Sequence, residues 1–393
     1  MNQSRITLRE LAAEPFRLFF PLAVLVGLAG VSLWPLHFGH VVPLYPGLSH
    51  ARLMAYGLFG GFIFGFLGTA MPRMLSVKPF TSFEALLLLI IYGAMAVAYF
   101  LAKIELGDKL FLALLVGFFA CIAWRFPKRQ DTPPPGFILV LLGLLCAAAG
   151  AVLGILASNA DEPPARPLLQ HLLSYQGFVL FPILGVGAFV LPRFFGLPNP
   201  HDLPEATKPT AGWVARAWPA LAAGILILLS FWLEADGWYR LGSALRFVTS
   251  AAYVIFEMPL FRRAKIKNSF SLVLKLAFAS MLAGFFFVSL FPQWRVGLLH
   301  LTLVGGFAVI TFSVATRVIF GHSGNLPLMA KPNRWLLWAT GIMWFAMVTR
   351  ISGDFWPKIT ASHYVYGAIV WAIGVIWWSW KVLPKIWVRD PED

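Results

Sequence analysis

The sequence predicts an all-α, polytopic transmembrane bundle of twelve helices. Of its 393 residues, 59% are hydrophobic and only 12% are charged, against roughly 25% charged in a soluble domain. Apolar stretches recur from Phe16 to Trp387, each about 20 residues long and so able, as a helix, to cross some 30 Å of hydrocarbon. Helix rather than barrel follows, because a lipid-facing backbone must satisfy its own hydrogen bonds, and barrel strands would alternate in polarity over about ten residues.

The segments are expected at 17–38, 52–72, 82–103, 109–126, 136–157, 169–192, 212–232, 240–260, 270–290, 298–318, 334–350 and 361–384. The polar start MNQSRITLRELAAEP leads straight into a long apolar run, which reads as a retained first helix and not a cleaved signal. Glu84 and Glu105 flank the third segment as interfacial residues, and Cys121 and Cys146 lie inside the fourth and fifth as packing residues. The eighth and ninth carry Arg246, Glu257 and Lys275. An ionisable group there faces a partner, a protein interior or a wet cavity; a structural ion pair of Glu257 with Arg246 or Lys275 is the expected arrangement. The last segment, VWAIGVIWWSWKVLPKIW, has the tryptophans of an interfacial anchor. Linkers such as PKRQDTPPPG, SNADEPPARP and LPNPHDLPEATKPT are too short to separate domains, so residues 1–393 form one membrane domain.

The net charge of +14 would suggest nucleic acid in a soluble protein, but here it reads as topology. Outside the segments or at their ends, 20 Lys and Arg fall on the side of the termini and 8 on the other, namely Arg52, Lys103, Lys109, Arg166, Arg240, Arg295, Arg350 and Lys358, which predicts both termini in the cytoplasm. No glycine-rich phosphate loop, dinucleotide fingerprint or G-x-S-x-G elbow is present, so an ATP-driven pump or a dinucleotide domain has no support.

An internal repeat is visible. HARLMAYGLFGGFIFGFLGTAMPRMLSVKPF (50–80) aligns with HLLSYQGFVLFPILGVGAFVLPRFFGLPNP (171–200), with Gly57 and Gly65 matching Gly177 and Gly185, and Pro72-Arg73 matching Pro192-Arg193. A looser copy, HLTLVGGFAVITFSVATRVIFGHSG, occupies 300–324 and ends near Arg317. The copies fall on the second, sixth and tenth segments, which predicts three four-helix units at about 16–130, 131–265 and 266–384. The glycines allow close helix packing or shape a cavity where repeats converge; the three arginines suit positive-inside placement or an acidic group.

Eight histidines are present. His37 and His40 fall in the first external loop, and His50, His171, His300 and His363 at the external ends of the second, sixth, tenth and twelfth segments. Three of these lead the repeat copies. Imidazole suits iron, copper and zinc, so this group is the candidate metal or cofactor site, although a histidine at an interface also serves simply as a cap. His322 sits at the opposite end of the tenth segment.

PFRLFFPLAVLVGLAGVSLW (15–34), GLFGGFIFGFLGTAMPRM (57–74) and above all LHLTLVGGFAVITFSVATRVIFGHSG (299–324) resemble the NnrS family over nearly the whole chain. That resemblance implies a bacterial cytoplasmic (inner) membrane protein carrying haem and copper, binding or helping to detoxify nitric oxide or nitrosylated metal species. It places His300 at the opening of the tenth-helix motif and Thr316, Arg317, Gly321, His322 and Gly324 at its close. His50 lies near the family's W-H-x-H-E entry to the second helix, but Ala51 and Leu53 stand where its histidines fall, a departure that bears on one metal. The candidate cofactor ligands are therefore His50, His171, His300 and His363, with His322 as a further metal candidate. Three four-helix units also invite analogy with haem–copper oxidases at the level of fold alone. The partners implied are nitric oxide or a nitrosylated metal and membrane lipid, with no nucleic acid and the electron donor unspecified. A multi-pass transporter or metal permease is the alternative, and a non-catalytic membrane sensor or assembly factor the third reading.

Overall fold

The computed structural model describes residues 6–158, 167–258, 260, 268–330 and 332–389. Arg5, Arg166, Arg262, Arg263, Lys265, Lys267 and Lys331, which enter the charge count, lie outside them. Among the described residues the regular structure is helical throughout, and eleven helices are long and apolar enough to cross a membrane. In chain order the membrane helices are α1 (Phe16–Phe38), α2 (Gly47–Met74), α3 (Ser82–Phe100), α4 (Ile104–Arg125), α5 (Phe137–Ser158), α6 (Pro167–Phe194), α7 (Ala211–Ala235), α8 (Tyr239–Glu257), α9 (Ser269–Leu290), α10 (Pro292–Gly321), α11 (Arg334–Phe355) and α12 (Thr360–Val382). The expected segments match these within a few residues.

α8 falls outside the eleven because Arg246 and a run of hydroxyl side chains interrupt its apolar character. It nevertheless crosses. Glu10, ahead of α1, pairs with Arg389, beyond α12, at 2.8 Å, and Arg17 at the start of α1 donates to the carbonyls of Ile386 and Val388. The first and last helices therefore end on one face, called here the terminal face. An even number of crossings is required, and α8, packed between α7 and α9, supplies the twelfth.

α2, α6 and α10 lie at the centre, with 78%, 72% and 67% of their most apolar stretches buried, while hairpins such as α3–α4, α7–α8 and α11–α12 form the rim. Close approach at the centre needs glycine. A Cβ on Gly306 would lie 2.7 Å from the Cβ of Met281, and one on Gly61 would lie 2.6 Å from that of Ala23. Capping boxes at Thr7/Glu10 and Thr81/Glu84 start the short helix Leu8–Ala13 and α3.

Polar groups inside the bundle are paired in ways the sequence did not reveal. Arg52, counted above as a loop cation, is 2% exposed; its Nε lies 2.8 Å from Asp108 Oδ1 and its Nη2 donates at 2.9 Å to Oδ2. Tyr99 donates to the same carboxylate at 2.7 Å. The expected pairing of Glu257 with Arg246 or Lys275 is not found. Arg246 is held by Glu234 of α7, Glu257 accepts from His201 at 3.0 Å, and Lys275 lies over the ring of Phe195. One helical face carries both Arg246 and Glu257, but they lie 11 positions apart, three helical turns, so neither reaches the other. Glu84 clamps Arg125 of α4, and Glu105 pairs with Lys109. Cys121 and Cys146 are free thiols.

Candidate cofactor cavity

Each of the three motif helices opens as an α-helix, widens into a π-helical stretch, and closes as an α-helix. The π stretches are Leu53–Phe59 in α2, Leu172–Gly177 in α6 and Leu301–Ala308 in α10. All begin within three residues of a candidate histidine: His50, His171 and His300. A π turn inserts one residue, re-aims the side chains before it and frees carbonyls, and such turns are frequent at functional sites. Neighbouring side chains take up the freed carbonyls. Tyr92 donates to Gly57 O at 2.9 Å, Ser280 to Leu301 O at 2.9 Å, and Trp344 Nε1 to Gly305 O at 3.2 Å. This is how broken membrane helices remain satisfied.

The three histidines line one cavity of about 570 Å³ between α1, α2, α6, α10, α11 and α12, on the face opposite the termini. That size lies within the usual range for a small-molecule or cofactor site, about 300–1,000 Å³. The walls are mostly apolar, from Val31, Trp34, Met54, Phe59, Leu299, Leu303 and Trp371, with exposed Tyr45 and Leu48 at the mouth. The polar groups are the three histidines, Tyr175, Gln176, Tyr364, Arg295 and Arg350.

Two of the histidines are oriented by backbone. His50 Nδ1 donates to Gly30 O of α1 at 3.0 Å, and His300 Nδ1 donates to Val296 O one turn back at 2.8 Å. A carbonyl can only accept, so in each ring the proton sits on Nδ1 and Nε2 carries the free lone pair, the tautomer a metal-ligating histidine presents. His171 stacks on Tyr175 with ring centroids 5.4 Å apart, and Tyr175 accepts from Arg52 at 2.8 Å, which ties this side of the cavity to the buried Arg52–Asp108 pair. Arg350 is held by Asp354 at 2.7 Å and lies 3.6 Å over the ring of Tyr364; Arg295 reaches Glu234 at 3.8 Å.

The other candidates lie elsewhere. His363, one residue before Tyr364, donates through Nδ1 to Ile359 O at 3.1 Å and packs beside Gly353, outside the cavity lining. His322, beyond the far end of α10, sits at the terminal face with Nδ1 2.6 Å from Glu14 Oε1, in a cluster with Arg17 and Arg73. Some 22 residues of helix, roughly 30 Å, separate it from His300. His37, expected in the first external loop, lies in the last turn of α1 and donates to Val42 O at 3.2 Å. In sequence Arg295 and Arg350 count only among the cations of the face opposite the termini; that both line the cavity is seen in the structure alone.

Among the described residues, no three His, Cys, Asp or Glu side chains converge closely enough to hold a metal ion by themselves. A haem brings four nitrogen donors of its own and needs only one or two axial side chains. The cavity's residues fit that requirement: two imidazoles with free Nε2 atoms, apolar walls, and two arginines of the kind that pair with carboxylates.

Below the cavity the central axis is packed with apolar side chains. A second, apolar space of only about 80 Å³ is lined by Phe59, Phe62, Val179, Pro182, Ile310 and Val314, and Phe62 packs edge-on to Phe312 at 5.4 Å.

Compared with known protein families, the chain matches the family model described as NnrS protein over residues 10–389. No curated protein matches it.

Proposed function

The chain belongs to the NnrS family of multi-pass membrane proteins, associated with the nitric oxide response, and from that premise we propose that it carries haem in the histidine cavity and there binds nitric oxide or a nitrosylated metal species, relieving nitrosative stress. The observation that supports this best is the pairing of His50 and His300, both lining one cavity and both with Nδ1 committed to a backbone carbonyl.

In this reading His50 and His300 would hold the haem iron, one of the two giving up its place to the incoming diatomic ligand, and Arg350 and Arg295 would neutralise the propionates. Asp354 and Tyr364 hold Arg350, and Glu234 lies beside Arg295. Trp34, edge-on to His50 at 5.6 Å and to Tyr364 at 4.9 Å, covers one side and keeps water from the imidazole. A bound haem supplies the iron to which a diatomic ligand attaches; the protein fixes imidazole orientation, polarity and access. Copper has weaker support from the side chains, given Ala51 and Leu53 at the family's helix-2 histidine positions and the lack of a three-residue ligand group among the described residues.

A transport reading meets an obstacle in the phenylalanine-rich axis below the cavity, and the intramembrane charges Glu257 and Lys275 do not line the cavity. By the positive-inside rule the terminal face is cytoplasmic and the cavity opens on the other side of the bacterial inner membrane. The test is the haem and copper content of detergent-purified protein expressed with both in excess. About one haem per chain is the expected result; folded protein without haem sinks the proposal.

A further inference from the structure

We propose that the buried face of α8 holds a chain of water molecules that conducts protons between the terminal face and the histidine cavity. Among the described residues α8 is the one crossing helix whose buried face is polar along its length: Ser243, Arg246, Thr249, Ser250, Tyr253 and Glu257 recur at helical spacing, all 6% exposed or less.

Most of these groups lack partners. Thr249 Oγ1, Ser250 Oγ, Tyr253 Oη, Arg246 Nε and Nη1, Glu234 Oε1 and His201 Nδ1 are buried without a hydrogen bond among the described residues. The hydroxyls are not orphaned by helix geometry, since elsewhere in the bundle Ser230, Ser289 and Thr316 donate back to carbonyls of their own helices. A buried hydroxyl without a partner is unfavourable, and ordered water is the usual remedy. Side chains three or four apart on a helix stand about 5–6 Å apart at Cβ, and Thr249, Ser250 and Tyr253 make no hydrogen bond to one another across that spacing, which suits a bridging water.

Both ends of the stripe reach outward. At the terminal face Glu257 accepts from buried His201 at 3.0 Å and lies 3.9 Å from Arg216 of α7, whose side chain is 44% exposed; Lys275 of α9 is engaged over Phe195. At the other end Arg246 and Ser243 hold Glu234, and Glu234 Oε1 lies 3.8 Å from Arg295, which lines the cavity. A proton taken from bulk water by the Glu257 carboxylate passes to the first water. Each oxygen in turn accepts one proton and releases another, Tyr253, Ser250 and Thr249 included, until water beside Arg295 receives it. The groups return to their starting protonation and no oxidant is consumed. Chains of acidic, histidine and hydroxyl groups serve as such relays in membrane proteins. The inference stands on α8 and does not depend on haem in the cavity.

The test uses the full chain in phospholipid vesicles with a trapped pH indicator and a potassium diffusion potential. Proton flux above that of protein-free vesicles is expected, falling at least tenfold in Tyr253→Phe, which keeps the ring packing, and in Glu257→Gln, but not in the surface control Glu105→Gln. Brief hydroxyl-radical labelling of the same protein is expected to mark Tyr253 at a rate near that of exposed Tyr239. Flux no greater than from lipid alone, flux unchanged in both variants, or Tyr253 labelling as weak as that of buried Tyr92 overturns the proposal.

Discussion

His50 Nδ1 lies 3.0 Å from the carbonyl oxygen of Gly30, so a ring on α2 is aimed by the backbone of α1. His300 has the same commitment to Val296. Both then present Nε2 as the free donor atom, and His50→Ala and His300→Ala are each expected to lower haem content at least tenfold, a loss at or above the 10–100-fold typical of disturbing a ligand's supporting shell. His322→Ala and His363→Ala should leave it unchanged. The pyridine haemochrome absorbance per chain measures this; full haem in both His50→Ala and His300→Ala removes them as ligands.

Asp108 and Arg52 form a buried, bidentate pair shared with Tyr99 and Tyr175. Removing one partner strands a charge, so Asp108→Ala is expected to cost about 3–5 kcal/mol. The double variant Arg52→Met/Asp108→Leu should recover most of that loss. Thermal unfolding in detergent, read by tryptophan fluorescence, compares them.

At the terminal face, burial works against the charge of Glu14, but the hydrogen bond from His322 and the charges of His322 and Arg17 outweigh it and hold the carboxyl at about 2, below its ordinary 4.5. Because the folded value is depressed, the stabilisation is present above about 4.5 and is lost as pH falls toward 2. At neutral pH Glu14→Gln is expected to cost on the order of 3 kcal/mol, and the gap between variant and parent should close across that window. Parallel melting curves from pH 7 down to 3 test it; a gap independent of pH contradicts it.

The π stretch of α10 packs against its neighbours through Gly305 and Gly306. A Cβ on Gly306 would come within 2.9 Å of Met281 Cα, a backbone atom that cannot move aside, whereas one on Gly341 meets nothing within 4 Å. Gly306→Ala is expected to destabilise by about 1–3 kcal/mol, and Gly341→Ala to stabilise slightly through helix propensity. The melting temperatures of the two variants should move in opposite directions.

Helix positions were readable because a run of apolar side chains has one economical fate in lipid, and α1 at Phe16–Phe38 against an expected 17–38 is typical. The grouping of His50, His171 and His300 was readable through their place at the head of three similar segments. The π stretches were not, since one inserted residue leaves the hydropathy of Leu53–Phe59 unchanged. Nor were the partners of Arg52 and Arg246. Asp108 and Glu234 sit near helix ends, where a carboxylate in sequence looks solvated, and only the packing of α2 against α4 and of α7 against α8 shows them buried. The periodic polar face of α8 was in the sequence, but a helix crossing beside lipid-facing neighbours was needed to give it meaning.

The most direct test of a haem site for nitric oxide is the absorption spectrum of the purified, haem-replete protein, oxidised and reduced, before and after nitric oxide is added. The expected result is a Soret band that shifts with nitric oxide in the parent and is lost in His300→Ala. A well-folded protein whose spectrum shows no Soret band, or one indifferent to nitric oxide in both oxidation states, contradicts the account.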